Sequence, residues 1–193
     1  MQPFSLLQLN KLLQTKTNPD FQLSDYYGYQ SRHPKALDIE RLIKQVFHIQ
    51  IVYHDPHPKL NRVAYIKQTG DSKIIHVNEN FNPFDQRYAL AYLLGFVLLK
   101  KAGCPCNRSF DKNIKIHETS QQATFEEHYY RHFADSILIP KDYFAKQSPV
   151  LKQALENKSS IEQALTALSK CFLVAPSVIN NYINSFNSKA LRF

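Results

Sequence analysis

The stretch RYALAYLLGFVLL, Arg87 to Leu99, decides how the rest of the chain is read. From Tyr88 to Leu99 twelve consecutive residues carry no charge. A helix without a hydrophilic face has to be surrounded by protein, and twelve residues are too few to cross a bilayer. Upstream, Asn82-Pro83 supplies a capping residue followed by a proline suited to a first helical turn. Downstream, Lys100 and Lys101 suit the negative end of a helix dipole, and Gly103 suits its termination. The spacing therefore predicts a buried central helix from about Phe84 to Lys101.

Three strand-like runs lie before that helix: HIQIVYH, RVAYIKQ and KIIHVNE, each alternating or rich in β-branched residues, with Thr69-Gly70-Asp71 as a hairpin turn between the last two. Leu37, Ile39, Leu42, Ile43, Val46 and Phe47 have helical spacing. A polar, irregular stretch is expected from Cys104 to Thr119, then a helix from Thr124 to Ile139 stopped by Pro140. From Tyr143 the tail is helical by pattern, with breaks near Asn157-Lys158-Ser159 and Ala175-Pro176. Residues 1–35 predict one helix and little else. The order is that of an α+β protein: a small antiparallel sheet packed on a helical core, with a helical C-terminal lobe.

Of 193 residues, 44% are hydrophobic and 21% charged, a composition that excludes disorder and fibrous repeats. The formal charge is +8, and residues 141–193 hold seven Lys or Arg against three Asp or Glu. That balance permits a polyanionic partner such as DNA. Three cysteines without a disulfide framework favour a reducing compartment, and MQPFSLLQLNKLLQ has no basic leader. A cytoplasmic protein without a membrane partner is the expectation.

Arg87 to Leu99 resembles the signature helix of the ImmA/IrrE family of zinc metallopeptidases, whose pattern is close to R-F-T-L-A-H-E-L-G-H. Arg87, Leu90, Ala91, Leu94 and Gly95 coincide with it, and Tyr88 stands for the Phe. IIHVNENF resembles the family strand that ends in V-N. EHYYRHFADSILIP resembles E-x-x-A-x-x-F-A-x-x-L-L-x-P, with Glu127, Phe133, Ala134, Leu138 and Pro140 matching and Tyr130 in place of the Ala. The resemblance covers roughly residues 36–190. It implies a zincin-like helical core, and zinc as the cofactor of active members.

At the five HExxH positions, however, this chain reads Tyr92, Leu93, Leu94, Gly95, Phe96. Two His at i and i+4 bind zinc in such a helix, and the Glu accepts a proton from metal-bound water. A phenol is a poor neutral ligand, Leu93 accepts no proton, and Phe96 has no donor atom. Only Glu127, aligned with the third ligand, is retained. The inherited mechanism is therefore not expected, no catalytic residue is assigned, and no cofactor is expected. The alternative is a relocated metal site at Glu127, His128 and His132, the two His being at i and i+4. His54 and His57 read as an exposed polar turn, Cys104-Pro105-Cys106 as a loop pair, and Cys171 as a small core residue.

The segment ALTALSKCFLVAPSVINNYINSF, Ala164 to Phe186, has the rhythm of a helix-turn-helix, with Val178, Ile179, Tyr182 and Ile183 facing inward. A DNA-reading helix of this kind would present Ser177, Asn180, Asn181 and Asn184 to base edges, without a cation of its own for phosphates. The chain thus divides into an N-terminal extension, 1–35, a peptidase-like domain, 36–145, and a helical lobe, 146–193. ImmA/IrrE members commonly act with helix-turn-helix repressors or antitoxins, often in mobile elements, and several cut the repressor. The resemblance implies a pseudoenzyme: a non-cleaving relative that takes part in transcription regulation by binding such a protein, with Tyr92, Leu93, Phe96 and Glu127 flooring the old groove. A DNA-binding regulator acting through the C-terminal lobe is the other reading.

Overall fold

Asn82 and Pro83 start the central helix where the sequence places it. In a computed structural model, which describes residues 4–29, 33–55, 61–100, 106–111, 125–146 and 161–190, the Asn82 side chain accepts a hydrogen bond from the Asp85 backbone N–H at 2.9 Å. Helix α3 then runs over Pro83–Leu99, after α1 (Leu6–Gln14) and α2 (Ile39–Val46), with its residues from Tyr88 to Phe96 all buried. It closes with the Lys100 backbone N–H donating to the Phe96 carbonyl.

The described residues fall into two compact units, 38–134 and 1–37 with 135–193. In the first, α3 lies against a four-stranded sheet and against α2. Strand β3 is Gln50–His54, β4 Arg62–Thr69, β5 Ser72–Asn78 and β6 Arg108–Asp111, in the order β3-β5-β4-β6. β4 and β5 form the expected hairpin, with Thr69 opposite Ser72 and the positive φ of +59° taken by Gly70. Ala64 pairs with Val77 and Ile66 with Ile75, and all four are buried. Successive residues point to opposite faces, so Tyr65 and its partner His76 stand on the other side.

Two expectations need correction. The sheet is mixed, not antiparallel: β3 takes the free edge of β5 and runs parallel to it, Gln50 opposite Ile74. The strand runs fixed the alternation of side chains but carried no signal for the direction of pairing. Strand β6, antiparallel to β4, falls in the stretch read as irregular. Its four residues, RSFD, hold one apolar side chain, Phe110, too few for a period to show.

The turn from β5 into α3 is fastened by polar groups. Asn78 is 5% exposed, donates to the Arg62 carbonyl at 3.3 Å and accepts from the Asn80 backbone N–H at 2.9 Å. Gln86, one turn into the helix, donates to the carbonyls of Asn78 and Phe81. These bonds set the angle at which α3 leaves the sheet.

Helix α4 is Phe125–Leu138, and the boundary between the two units falls inside it. It meets α3 at Gly95, where an added Cβ would lie 2.8 Å from Phe133 Cδ1 and 3.2 Å from the Tyr130 carbonyl oxygen. Phe133 is fully buried and has no room to retreat. Gly95→Ala should therefore lower stability, overpacking of about 1–3 kcal/mol outweighing the roughly 1 kcal/mol that alanine gains in a helix. Urea denaturation measures this. An unchanged or raised midpoint would remove the close approach of α3 and α4 from the account.

In the other unit, α1 begins with a capping box in which Ser5 and Gln8 exchange hydrogen bonds. A hairpin of β1 (Tyr27–Tyr29) and β2 (His33–Leu37) follows a single 3-10 turn. Tyr27 donates to the Ile137 carbonyl at 2.7 Å and meets the Tyr143 ring edge-on at 5.0 Å. Among its described residues are also helices α5 (Lys141–Ala145), α6 (Ile161–Phe172) and α7 (Pro176–Ala190), with Phe144 between Phe172 and Tyr182. Among the described residues no helix is long and apolar enough to cross a membrane. The expected break at Asn157 to Ser159, and Gly103, Cys104 and His57, lie outside the described residues.

Candidate functional site

Tyr92 and Phe96 are one turn apart on α3 and meet one ring of α4. Their centroids lie 5.9 and 5.5 Å from that of Tyr130, both edge-on. From the sheet side Phe110 of β6 closes on Tyr88 at 5.6 Å and Tyr92 at 5.1 Å. Tyr92, Leu93 and Phe96 are 1%, 0% and 6% exposed. Aromatic pairing adds about 0.5–1.5 kcal/mol per contact to the burial of these rings. They form a packed floor, so a visiting molecule meets the groups above them.

The foremost of those groups is Arg108, at the start of β6. Its Nε and Nη2 donate to Tyr92 Oη at 3.2 and 3.1 Å, and its Nη2 donates to Glu127 Oε1 at 2.9 Å. The guanidinium carbon lies 5.7 Å from the Tyr130 ring centroid. Glu127 sits in the first turn of α4, its side chain 17% exposed, and the Arg108 side chain is 29% exposed. A planar, permanently charged fork suits this task, because it can serve a phenol and a carboxylate together. One cation thereby ties β6, α3 and α4.

Burial works against the charge on Arg108, yet Tyr92 and Glu127 outweigh it and hold the guanidinium above its ordinary range. Burial pushes the Tyr92 phenol up, with Arg108 opposing. Burial likewise raises Tyr130, helped by Glu126. At neutral pH the two phenols of the cluster are therefore neutral and its guanidinium is a fixed cation.

These residues do not fit zinc. The Tyr92 oxygen is a neutral phenol already accepting from Arg108, Leu93 and Phe96 offer no donor, and Glu127 faces a guanidinium. Bringing a divalent ion to the same two oxygens would set it against the Arg108 charge. Among the described residues no three His, Cys, Asp or Glu side chains are grouped to hold a metal. Of the alternative set, Glu127 is turned to Arg108, His128 is exposed and His132 is half-buried.

The sequence reading missed Arg108, because it lies in a segment outside both family-like motifs. The one available signal was indirect: a retained carboxylate at Glu127 without its metal needs another counter-charge.

His54 departs from the exposed turn expected for it. It ends β3, with its ring 5.4 Å from His76 and 6.2 Å from Tyr65, and its Nε2 is buried without a hydrogen-bond partner among the described residues. Burial, His54 and Lys67 together lower His76 below the usual imidazole range. Cys106 is buried, which raises its thiol, and Cys171 is half-buried.

In the C-terminal segment, α6 turns into α7 through Leu173 at φ +53°. There the Val174 N–H donates to the Ser169 carbonyl, and the Ser169 hydroxyl donates to that of Val174. Val178, Ile179, Tyr182 and Ile183 are buried as the spacing predicts. Ser177, Asn180 and Asn184 are exposed and Asn181 is half-buried, so the four candidate base-contacting residues lie off the packed face.

The family model described as the IrrE N-terminal-like domain, a peptidase family, matches residues 44–180. That span includes the signature helix, β6 and the Glu127 segment. A search of curated proteins finds no match.

Proposed function

The chain belongs to the IrrE N-terminal-like peptidase family, and from that premise we propose that it is a non-cleaving member, a regulatory module that binds a helix-turn-helix repressor or antitoxin in the cytoplasm. The Arg108 clamp carries this reading. A guanidinium bridges the oxygens of Tyr92 and Glu127, at two of the positions where active relatives bind their metal. Hydrolysis at such a centre needs an open metal position and a base beside it. Here the position is closed by a cation that cannot acidify water, and Leu93 replaces the base. The hydrophobic floor keeps the fold intact while the chemistry is gone, and what the family scaffold retains is its capacity to hold a protein partner.

Affinity purification from the host, with intact-mass measurement of whatever is recovered, tests this. A helix-turn-helix regulator should come with the natural chain at full length, and its recovery should fall with Arg108→Glu. Recovery of shortened regulator, or of equal amounts with both chains, would overturn the proposal.

A further inference from the structure

The face of the sheet turned away from α3 carries two imidazoles on neighbouring strands. His54 is opposite Asn78 and His76 is opposite Val52, so the two side chains stand diagonally across β3 and β5 on one face. Their ring centroids are 5.4 Å apart, with the planes at 68°. Tyr65, opposite His76 on β4, stacks on it at 4.6 Å and 14° and so fixes its plane.

The geometry points to a site for one divalent transition-metal ion between His54 and His76, with water completing its coordination. An imidazole nitrogen sits about 2.0 Å from such an ion, which puts two ring centroids roughly 5 Å apart around one tetrahedral centre. The observed spacing meets that requirement. His54 Nε2 is buried and makes no hydrogen bond among the described residues, whereas a buried ring nitrogen ordinarily has a partner. His54 and His76 both line a cavity of about 10 Å³, with Tyr65, Arg62 and Asn78, which has room for one small guest.

The other lining groups do not compete for that place. Asn78 already donates to the Arg62 carbonyl and accepts from the Asn80 N–H. Arg62 lies 3.5 Å from Asp111, a counter-charge that limits its repulsion of an incoming cation. Lys67, two residues beyond Tyr65, is exposed, so water and salt screen it. Burial, His54 and Lys67 hold His76 below the usual imidazole range, which keeps its ring neutral and its lone pair available at pH 7.

Donor chemistry sets the class of ion. Two imidazoles without a carboxylate favour copper(II) over the other first-row divalent ions and disfavour calcium and magnesium. Two donors alone hold zinc too weakly for it to survive removal of excess ion. Arg108 pairs with Ile66, on the opposite face, so an ion here is separate from the Tyr92, Arg108 and Glu127 cluster.

Copper(II) alone, titrated into the full chain and followed by calorimetry and electron paramagnetic resonance, tests the inference. All chains carry His128→Gln, which breaks the i, i+4 imidazole pair of α4. One ion should bind with a dissociation constant of about 1 μM, and its spectrum should show coupling to two nitrogens. His54→Gln and His76→Gln should each weaken binding at least about tenfold. A dissociation constant weaker than about 100 μM, a spectrum without two coupled nitrogens, or unchanged affinity in either folded variant would each overturn it.

Discussion

A chain carrying Tyr92→His, Phe96→His and Arg108→Ala together should take up one zinc ion. The two imidazoles would lie one turn apart on the face of α3 that already meets Tyr130, as Tyr92 and Phe96 do. Removing Arg108 frees the Glu127 carboxylate, now held at 2.9 Å by the guanidinium, to complete a three-ligand set with water in the fourth place. The dissociation constant should move from weaker than about 1 mM to about 1 μM or tighter, roughly 4 kcal/mol. Calorimetric titration with zinc measures it. The control is Tyr92→His with Phe96→His in a chain that keeps Arg108, which should bind far more weakly because the fixed cation still faces the site. Equal affinities would show that Arg108 does not exclude the metal.

The second large effect is the coupling between Arg108 and Glu127. Cutting one partner out of a buried pair costs about 3–5 kcal/mol, and the partial exposure of this pair, 29% and 17%, reduces the expectation to about 2 kcal/mol for either Arg108→Met or Glu127→Gln. Arg108→Met also leaves Tyr92 without its donors. Glu127→Gln leaves a guanidinium among aromatic rings without its counter-charge. The double variant should recover part of the loss, its cost falling short of the two single costs combined by about 1 kcal/mol or more. Urea unfolding of the four proteins gives the cycle. Additive single effects would mean that the 2.9 Å contact contributes nothing to holding α4 against β6.

Much of this arrangement was legible before any coordinates. The uncharged run from Tyr88 to Leu99 specified a buried helix, because no other environment tolerates it. Asn82-Pro83 fixed its start, and Gly70 fixed the β4–β5 turn. The four inward residues of α7 followed from helical spacing alone. What was not legible depends on pairing between distant segments. β3 and β5 run parallel by a choice made in three dimensions, and β6 is too short to carry a period. Arg108 is the clearest case: it is nineteen residues from Glu127 and sixteen from Tyr92. Nothing in its neighbours, Asn107 and Ser109, marks it as the group that meets both.

Gly95 illustrates the opposite situation. Its identity was carried by the family pattern, and the geometry supplies the reason: the Tyr130 carbonyl and Phe133 ring occupy the space a side chain would need. The same packing keeps α3 in its place with Tyr92 and Phe96 at two of the signature positions. Leu90, Ala91, Leu94 and Gly95 hold α3 against its neighbours, and Tyr92 and Phe96 fill the volume above with rings.

The zinc content of the natural chain, purified with zinc present and freed of excess ion, bears most directly on the proposal that a guanidinium stands where active relatives hold a metal. The expected result is no stoichiometric zinc, with the same thermal unfolding before and after treatment with a chelator. About one zinc per chain, lost on Glu127→Gln, would contradict it and return hydrolysis to this fold.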